Sequence, residues 1–225
     1  MIIITGASSG VGLYLFNELS MDNEVIGFYN STSPGLNYDN YYKIDITSNV
    51  EVINFVESFG TKLKKIVLIN CAGVTYNCYA HKSDMEEWNK VIDVNLKGTF
   101  NVIKNLLPIM RMEEYGRIIN MSSVVANNPT PGVSAYSASK AALSGLVKGL
   151  ACENAQKNIL INNIDLGYSE LGMIKQVPEE FLLKIKQSIP SKILCPKEEI
   201  KHTVKYLMES NYINGTSINL SGGLI

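Results

Sequence analysis

Short apolar runs alternate with segments of helical character along the whole of this sequence. The apolar runs are those at 2–5, 24–29, 41–45, 65–69, 117–121, 159–164 and 216–220. Between them stand helix-like segments, with no internal repeat and no interdomain linker. This alternation predicts a doubly wound parallel sheet between two helical layers, an α/β three-layer fold with residues 1–225 in a single domain.

The connection between the second and third predicted strands is an exception to this alternation. Residues 30–40 are polar, contain Pro34-Gly35, and are too short and too broken for a crossover helix. We therefore expect one outer layer of the sheet to be thin on that side. Elsewhere, Ser83 and Glu86 predict a capping box for a helix at 84–92.

A glycine-rich turn joins the first predicted strand to the first predicted helix. Residues 5–12 read T-G-A-S-S-G-V-G and lead into the helical run at 13–19. A helix N-terminus placed after such a turn offers main-chain N–H groups and a positive dipole end to a phosphate. The glycines allow a sharp turn and a close approach to a pyrophosphate. Taken alone, the pattern fits an ordinary tight turn equally well.

Tyr136 and Lys140 stand four residues apart in a segment rich in Ala and Leu. Such a segment favours a helix, and residues i and i+4 then share one face. A nearby ammonium favours the phenolate, which lowers the pKa of the tyrosine and suits it to proton transfer near neutral pH. The alternative interpretation is a surface tyrosine stacked on a lysine side chain.

Composition excludes several classes of function. The formal net charge of −1 gives no basic surface for nucleic acid, and no apolar run approaches the roughly 20 residues that cross a bilayer. The cysteines, none of them in a C-x-x-C pair, and the two histidines predict no metal site. Met1 runs directly into the first strand without a signal peptide, so we expect a cytoplasmic protein with free, mostly buried cysteines.

Taken together, the ordered motifs resemble the classical short-chain dehydrogenase/reductase family over essentially the whole chain. The motifs are T-G-A-S-S-G-V-G at 5–12, N-C-A-G at 70–73, D-V-N at 93–95, Ser123, Y-S-A-S-K at 136–140 and the terminal S-G-G. The resemblance implies a Rossmann fold and hydride transfer between a nicotinamide cofactor and a carbonyl or secondary alcohol.

The resemblance also implies catalytic roles for four residues. Tyr136 would donate the proton to the carbonyl, and Lys140 would lower the pKa of the tyrosine and hold the nicotinamide ribose. Ser123 would hydrogen-bond the substrate oxygen, and its separation of thirteen residues from Tyr136 favours it over Ser122. Asn95 would support a water-linked proton relay through Lys140.

Cofactor contacts are implied at the ends of the strands, where ligands of such sheets bind. Gly6, Gly10 and Gly12 would receive the pyrophosphate, and Asp45 would contact the adenine. The expected cofactor-binding residues are Gly6, Ser8, Ser9, Gly10, Val11, Gly12, Asn30, Asp45, Ile46, Asn70, Ala72, Gly73, Tyr136, Lys140, Gly167 and Ser169.

The residues after the second strand bear on cofactor choice. Residues 29–32 include no acid to bind a ribose 2′-OH, so NADP(H) is favoured over NAD(H). Ser9, however, stands where many NADPH-dependent members of the family carry arginine. Other departures are Cys71 for the second Asn of N-N-A-G, Leu166 for Pro before Gly167, and Ser169 and Leu171 near the nicotinamide carboxamide.

Two alternatives to a small-molecule reductase remain at this point. One is a cofactor-binding sensor or assembly subunit with vestigial activity, suggested by the altered segment 166–171. The other is a 3-oxoacyl-carrier-protein reductase, which ranks lower because Glu113 and Glu114 would repel an acidic carrier.

The family resemblance further implies a mobile substrate lid and self-association. The lid would span residues 168–192, with Tyr168, Met173 and Phe181 as pocket walls. The apolar helices at 98–110 and 140–151 are the expected faces of a homodimer or homotetramer.

Overall fold

In the computed structural model, which describes residues 1–35, 39–172, 174 and 177–224, seven strands form one parallel sheet in the order β3-β2-β1-β4-β5-β6-β7. The strands are β1 Ile2–Thr5, β2 Val25–Tyr29, β3 Tyr41–Lys43, β4 Val67–Asn70, β5 Gly116–Ser123, β6 Ile159–Leu166 and β7 Ser217–Leu220. The predicted doubly wound parallel sheet is confirmed. The strand order reverses direction at β1, which pairs with both β2 and β4.

Helices cover both faces of the sheet, as the strand–helix alternation predicts. They are α1 Gly10–Leu19, α2 Asn49–Phe59, α3 Met85–Ile92, α4 Thr99–Met112, α5 Ser134–Asn154, α6 Glu179–Ser188 and α7 Lys197–Glu209. Side chains of β1 alternate between two cores, because successive residues of a strand point to opposite faces. Ile3 packs with α2, α4 and α5, and Ile2 and Ile4 pack with α1 and α7.

The connection from β2 to β3 has no helix among its described residues, 30–35 and 39–40. An aromatic side chain covers the sheet there instead. The ring of Tyr41 lies over Gly27, where an added Cβ would be 2.8 Å from the ring. Its centroid is 4.1 Å from that of Phe16, and its hydroxyl donates to the Ala7 oxygen at 3.2 Å. The outer layer is therefore thin at this edge, as expected.

Some element boundaries differ from the predicted ones for local reasons. Strand β4 starts at Val67 rather than at Lys65, because Lys65 has a φ of 45°, in the left-handed region. The capping box proves wrong: Asp84 caps α3, and one of its carboxylate oxygens accepts from the N–H groups of Glu86 and Glu87. The predicted helix begins at Asp84, whereas the observed helix begins one residue later, at Met85.

Two further predictions concern membrane-spanning helices and the burial of the cysteines. No helix in the described ranges has both the length and the apolar character needed to cross a membrane. All four cysteines are free, but they are less buried than expected: Cys152 is exposed, and Cys71, Cys78 and Cys195 are only half-buried.

Candidate active site

A cavity of about 410 Å³ opens at the carboxyl ends of the central strands. It lies beside the point where the strand order reverses, which is where ligands of doubly wound sheets bind. Most of the predicted site residues line it, namely Gly6, Ser9, Gly10, Val11, Gly12, Ala72, Gly73, Ser123, Tyr136, Lys140, Gly167 and Ser169. The remaining predicted residues, Ser8, Asn30, Asp45, Ile46, Asn70 and Asn95, do not line this cavity.

The glycine-rich turn has the shape of a phosphate cradle. Gly6 has a φ of +65°, and a Cβ there would lie 2.8 Å from the main chain of Ala72. At Gly12 a Cβ would strike the carbonyl oxygen of Gly6. The side chain of Ser9 makes no capping bond, and the first turn of α1 carries no acid. The first N–H groups of α1 are therefore available to an anion, so these residues fit a dinucleotide pyrophosphate.

Asn70 belongs to a ladder of buried polar side chains that crosses the sheet. Its Nδ2 donates to Oδ1 of Asn120 at 2.9 Å, and Nδ2 of Asn120 donates to Oδ1 of Asn163 at 3.0 Å. The ladder continues from Asn163 Nδ2 to the Ser217 hydroxyl at 3.2 Å. It extends on the other side to Thr5, whose hydroxyl donates to Asn70 Oδ1 at 3.4 Å. The side chain of Asn70 is therefore bonded to neighbouring strands, and the predicted cofactor contact of this residue stays a prediction.

Asn95 lies in a π-helical turn, Asp93–Gly98, between α3 and α4. Its side chain is fully buried and fixes the loop after β4. Oδ1 accepts from the N–H of Val74 at 2.8 Å, while Nδ2 donates to the Val74 oxygen at 2.9 Å and to the Ser139 hydroxyl at 3.0 Å. Asn95 thus links that loop to α5, one turn from Tyr136.

Ser123 and Tyr136 meet inside the cavity. Burial raises the pKa of Tyr136, and a hydrogen bond with the hydroxyl of Ser123 opposes that rise. Lys140 lies one turn further along α5, with its Nζ 5.6 Å from the centroid of the tyrosine ring. Burial is the largest influence on the pKa of Tyr136, and Nζ of Lys140 donates to the main-chain oxygen of Met121 at 2.6 Å.

Burial also governs the other ionisable groups of the cavity. It lowers the pKa of Lys140 to about 8, with Cys71 and Asp165 acting in the opposite direction. It raises the pKa of the Cys71 thiol to about 12. The loop containing Cys71 is anchored by its main chain: the N–H of Cys71 donates to the Thr5 oxygen, and that of Ala72 donates to the Thr5 hydroxyl, both at 3.2 Å.

Three of the predicted cofactor residues, Asn30, Asp45 and Ile46, follow β2 and β3, on the same edge of the sheet as the cavity but outside its lining. Asn30 is exposed, and one oxygen of the Asp45 carboxylate accepts from both the N–H and the hydroxyl of Thr47. Ile46 is buried against Gly98, where an added Cβ would be 2.8 Å from its side chain. The predicted adenosine contacts at these residues stay a prediction, and one oxygen of the Asp45 carboxylate is already hydrogen-bonded to Thr47.

The outer part of the cavity has apolar walls. Tyr168 lines it, as expected, but Phe181 does not: 54% of Phe181 is exposed. Ile185, one turn further along α6, and Val177 take its place. Ile185 faces inward because the less exposed face of α6 runs through Leu182 and Ile185 toward Ile189 and leaves Phe181 outside it, whereas Val177 lies just before the helix. Met173 falls outside the described residues.

Sequence reasoning overlooked several residues around the cavity. Val124, Val125, Ile174 and Val177 line it, and nothing in their local pattern distinguishes them from ordinary apolar residues. Asp165 was also missed, although a signal was available. It is an acid in the buried strand I-L-I-N-N-I-D-L, and carboxylates are almost never fully buried without a partner.

Within the described part of the chain, no three His, Cys, Asp or Glu side chains are grouped so as to hold a metal ion.

Comparisons with known proteins agree with this geometry. A family model described as short chain dehydrogenase matches residues 1–181. A 3-oxoacyl-(acyl-carrier-protein) reductase of Thermotoga maritima is 32% identical over 244 residues, which cover 99% of this chain and 96% of that protein. An acetoacetyl-CoA reductase of Shinella zoogloeoides is 33% identical over 236 residues, which cover 98% of this chain and 96% of that protein.

Among solved structures, the ligand-free aldohexose dehydrogenase of Thermoplasma acidophilum matches with a TM-score of 0.90 and 26% sequence identity. The match covers 99% of this chain and 93% of that chain. The chain therefore belongs to the classical short-chain dehydrogenase/reductase family, and it is an oxidoreductase that acts on CH–OH and C=O groups with a nicotinamide cofactor.

Proposed function

We propose that the protein reduces a carbonyl compound with an apolar body, using NADPH, with Tyr136 as the proton donor. The observation that carries this proposal is that Ser123, Tyr136 and Lys140 line one cavity, with Tyr136 and Lys140 one helical turn apart. Two hydroxyl groups in one cavity can both hydrogen-bond the substrate oxygen as negative charge develops on it, in a site shielded from water.

The pyrophosphate would be held by the N–H groups at the start of α1, next to Gly6 and Gly12. The nicotinamide ribose would be held by Lys140, whose ammonium keeps two further N–H groups beyond the one bonded to Met121. The nicotinamide supplies the hydride for reduction, or accepts it in the reverse reaction.

The chain's own residues handle the proton. Tyr136 would donate its phenolic proton to the substrate oxygen, while Ser123 donates a second hydrogen bond to that oxygen. Lys140 would stabilise the resulting phenolate through its positive charge, which it retains below a pH of about 8. Asn95 would keep the loop after β4 and the start of α5 in register, since its side chain bonds to both.

NADP(H) is proposed over NAD(H) because no carboxylate stands at the end of β2 to repel a 2′-phosphate. Tyr29 and Asn30, at the end of that strand, are half-buried and exposed, so a phosphate there would be met by polar groups and water. The test is a comparison of kcat/KM with NADPH and NADH on the same carbonyl substrate. A larger kcat/KM with NADH would contradict the proposal.

The character of the outer cavity supports an acyl rather than a sugar substrate. The walls beyond Tyr136 include Val125, Ile174, Val177 and Ile185, which cannot hydrogen-bond the hydroxyl groups of a hexose. The names of two relatives refer to reduction of 3-oxoacyl thioesters. We therefore propose a short 3-oxoacyl thioester, or a ketone of similar shape, as the substrate.

A carrier protein as the acyl donor is a second candidate. The Thermotoga relative is a reductase of acyl-carrier-protein thioesters, which supports this candidate. The argument against it from acidic residues is weakened at Glu114, whose carboxylate is paired with Lys157 at 2.8 Å. Parallel assays with the coenzyme A and carrier-protein thioesters of one acyl group distinguish the two donors.

The decisive experiment for the proposed function follows the absorbance change of NADPH oxidation with acetoacetyl-CoA and simple ketones, and of NADP⁺ reduction with an aldohexose. Turnover of the apolar carbonyls and not of the hexose supports the proposal. Binding of NADPH without oxidation by any substrate would contradict it and would favour a cofactor-binding sensor or assembly subunit.

We also propose that residues 168–192 act as a lid. Helix α6 has no fully buried residue, and it contributes Ile185 to the cavity wall. Limited proteolysis tests this proposal: cleavage within 177–192 should slow when NADPH and a substrate analogue are bound together. Equal cleavage rates with and without ligands would contradict it.

Self-association is proposed through α4 and α5. Phe100 and Met112 on α4 are 41% and 74% exposed, and α5 presents small exposed residues such as Gly145 and Gly149. Light scattering of the purified protein should give the mass of a dimer or tetramer, and a mass near 24.8 kDa would contradict this proposal. With four free cysteines, the reducing cytoplasm is the proposed compartment.

A further inference from the structure

A second buried ionisable side chain lies at the carboxyl end of β6, opposite Ser122, whose hydroxyl donates to the main-chain oxygen of Lys140 at 3.4 Å. Asp165 is only 1% exposed, and it stands opposite Ser122 in the register of β5 and β6. The mechanism proposed above makes no use of it. A carboxylate is costly to bury, so its position calls for a partner of opposite charge or a full set of hydrogen-bond donors.

Neutral donors satisfy the carboxylate of Asp165 only in part. Nδ2 of Asn127 donates to Oδ2 at 3.3 Å. The hydroxyl groups of Ser122 and Ser217 also lower the pKa of the carboxyl group, against the rise caused by burial. Oδ1, however, has no hydrogen-bond partner of good geometry among the described residues.

Among the described residues that act on the Asp165 carboxylate, Lys140 is the cation. Strand β5 contributes Ser122, strand β7 contributes Ser217, and the turn after β5 contributes Asn127, all of them neutral. Helix α5 contributes Lys140, which is the charged group that acts on the carboxylate. Lys140 is in turn 5% exposed, so its ammonium is also largely withdrawn from water.

The groups around Lys140 also indicate that Asp165 is its partner. The ionisable groups that act on its ammonium are Cys71 and Asp165, and the ring of Tyr136 lies 5.6 Å away. The thiol of Cys71, with its pKa raised to about 12, is neutral at physiological pH. The phenol of Tyr136 is neutral there too, since burial raises its pKa. Asp165 is therefore the anion left to balance the buried ammonium.

We propose that Asp165 is the counterion of Lys140 and, through it, a positioning residue of the active site. The carboxylate favours the charged form of the lysine, which is the form that donates hydrogen bonds to a ribose and stabilises a phenolate. The ladder of Asn70, Asn120 and Asn163 ends at Ser217, which contacts Asp165, so the sheet itself holds the carboxylate in place. This inference rests on the role of Lys140 in the proposed function.

The interaction is reciprocal, which provides two independent measurements. Removal of the carboxylate's charge lowers the pKa of Lys140, and removal of the ammonium raises the pKa of Asp165. A residue that only shaped the end of β6 would shift neither.

The first experiment compares Asp165→Asn with the wild type and with Asp22→Asn, which removes an exposed carboxylate. NADPH affinity is measured by fluorescence between pH 6 and pH 9.5. The midpoint of its alkaline decline should move down by about one pH unit in Asp165→Asn, as expected for loss of a nearby opposite charge. The midpoint of Asp22→Asn should equal that of the wild type.

An unchanged midpoint in Asp165→Asn would overturn the proposal. So would an affinity reduced by the same factor at every pH, which indicates a purely structural role. Because the measurement follows binding, it remains valid if no carbonyl substrate is turned over. The proposed function would then fail while the pairing of Asp165 with Lys140 is judged separately.

A second measurement serves if Asp165→Asn does not fold. The wild type and Lys140→Met are labelled with ¹³C at the aspartate carboxyl groups. Asp165 is identified as the resonance that a soluble paramagnetic probe does not broaden, because it is the buried aspartate. Its titration should move upward by about one pH unit in Lys140→Met. The same titration in both proteins would overturn the inference.

Discussion

The ammonium of Lys140 donates a hydrogen bond to the main-chain oxygen of Met121 over 2.6 Å. Met121 lies two residues before Ser123 on β5, and Lys140 lies one turn after Tyr136 on α5. A single bond therefore fixes the strand that carries the serine relative to the helix that carries the tyrosine. In this position Nζ of Lys140 is 5.6 Å from the centroid of the Tyr136 ring.

The position of Lys140 predicts a pH-dependent affinity for the cofactor. Burial lowers its pKa from 10.5 to about 8, so the ammonium is present below that pH and lost above it. Because only the charged form has three N–H donors, the affinity for NADPH should decline as the pH rises through about 8. Fluorescence titrations from pH 6 to pH 10 measure this decline. It should disappear in Lys140→Met, whose affinity is expected to be low at every pH.

Replacement of the proton donor should separate chemistry from binding. Tyr136→Phe removes one hydroxyl group from a buried ring, so kcat should fall by about 10² to 10⁴, the usual contribution of a general acid. The dissociation constant for NADPH should stay within about threefold of the wild type, since the ring remains in place. Steady-state kinetics and calorimetry measure the two quantities. Full activity in the variant would refute the proposed role of Tyr136.

The two adjacent serines should behave differently. Ser123→Ala removes the hydrogen bond to Tyr136, so kcat should fall about 10²-fold and the pKa of Tyr136 should rise further. Ser122 lies 3.4 Å from the main-chain oxygen of Lys140 and contacts Asp165, not the phenol. We expect Ser122→Ala to lower kcat by less than about fivefold. A larger loss in Ser122→Ala than in Ser123→Ala would reverse the assignment.

The phosphate cradle should tolerate no side chain at Gly12. A Cβ there meets the carbonyl oxygen of Gly6, so Gly12→Ala should destabilise the protein by about 1–3 kcal/mol, the usual range for overpacking. It should also weaken NADPH binding. Gly149→Ala is the matched control, because nothing lies within 4 Å of its added Cβ. That change should instead stabilise the helix by about 0.5–1 kcal/mol, and because Gly149 lies on the α5 face proposed for self-association, this value applies where the oligomeric mass is unchanged.

Urea unfolding measures both glycine variants, with light scattering as a check that the oligomeric state is unchanged. Equal stability of Gly12→Ala and the wild type would mean that the turn can relax. The close approach of Gly12 and Gly6 would then not be needed for the cradle.

Cys71 should react slowly despite its position in the cavity. Burial raises the pKa of its thiol to about 12, so little thiolate is present at pH 8. Alkylation by iodoacetamide, followed by mass spectrometry, should modify Cys71 at least about tenfold more slowly than in the urea-unfolded chain. Cys71→Ala should bind NADPH nearly as well as the wild type, since the loop is anchored by main-chain bonds. Rapid labelling of Cys71 in the folded protein would show that the thiol is ionised.

Much of the fold was predictable because it depends on local pattern. The alternation of apolar runs with helical segments is enough to predict a parallel sheet, since parallel strands need a long crossover connection, which is usually a helix. The missing helix between β2 and β3 was predictable from the polar, Pro-Gly-containing residues 30–40. The ring of Tyr41 over Gly27 was not, because it depends on contacts between residues distant in sequence.

The candidate site divides in the same way. Its main-chain features follow from motifs, so the glycine turn and the pair Tyr136 and Lys140 were found in the sequence. Side-chain directions were harder to predict. Phe181 is exposed to solvent while Ile185 lines the cavity, and the bond of Asn70 to Asn120 depends on the pairing of strands distant in sequence.

The sequence by itself determined which elements form, which turn receives the phosphate and which residues bear the chemistry, because these depend on the types and spacing of neighbouring residues. Only the tertiary structure decided the pKa of Lys140 and the charged groups around it. Its pKa depends on burial and on Asp165, which is 25 residues away along the chain but adjacent once β6 lies beside β5. Desolvation and charge pairing are properties of position in space, so no local pattern could have revealed them.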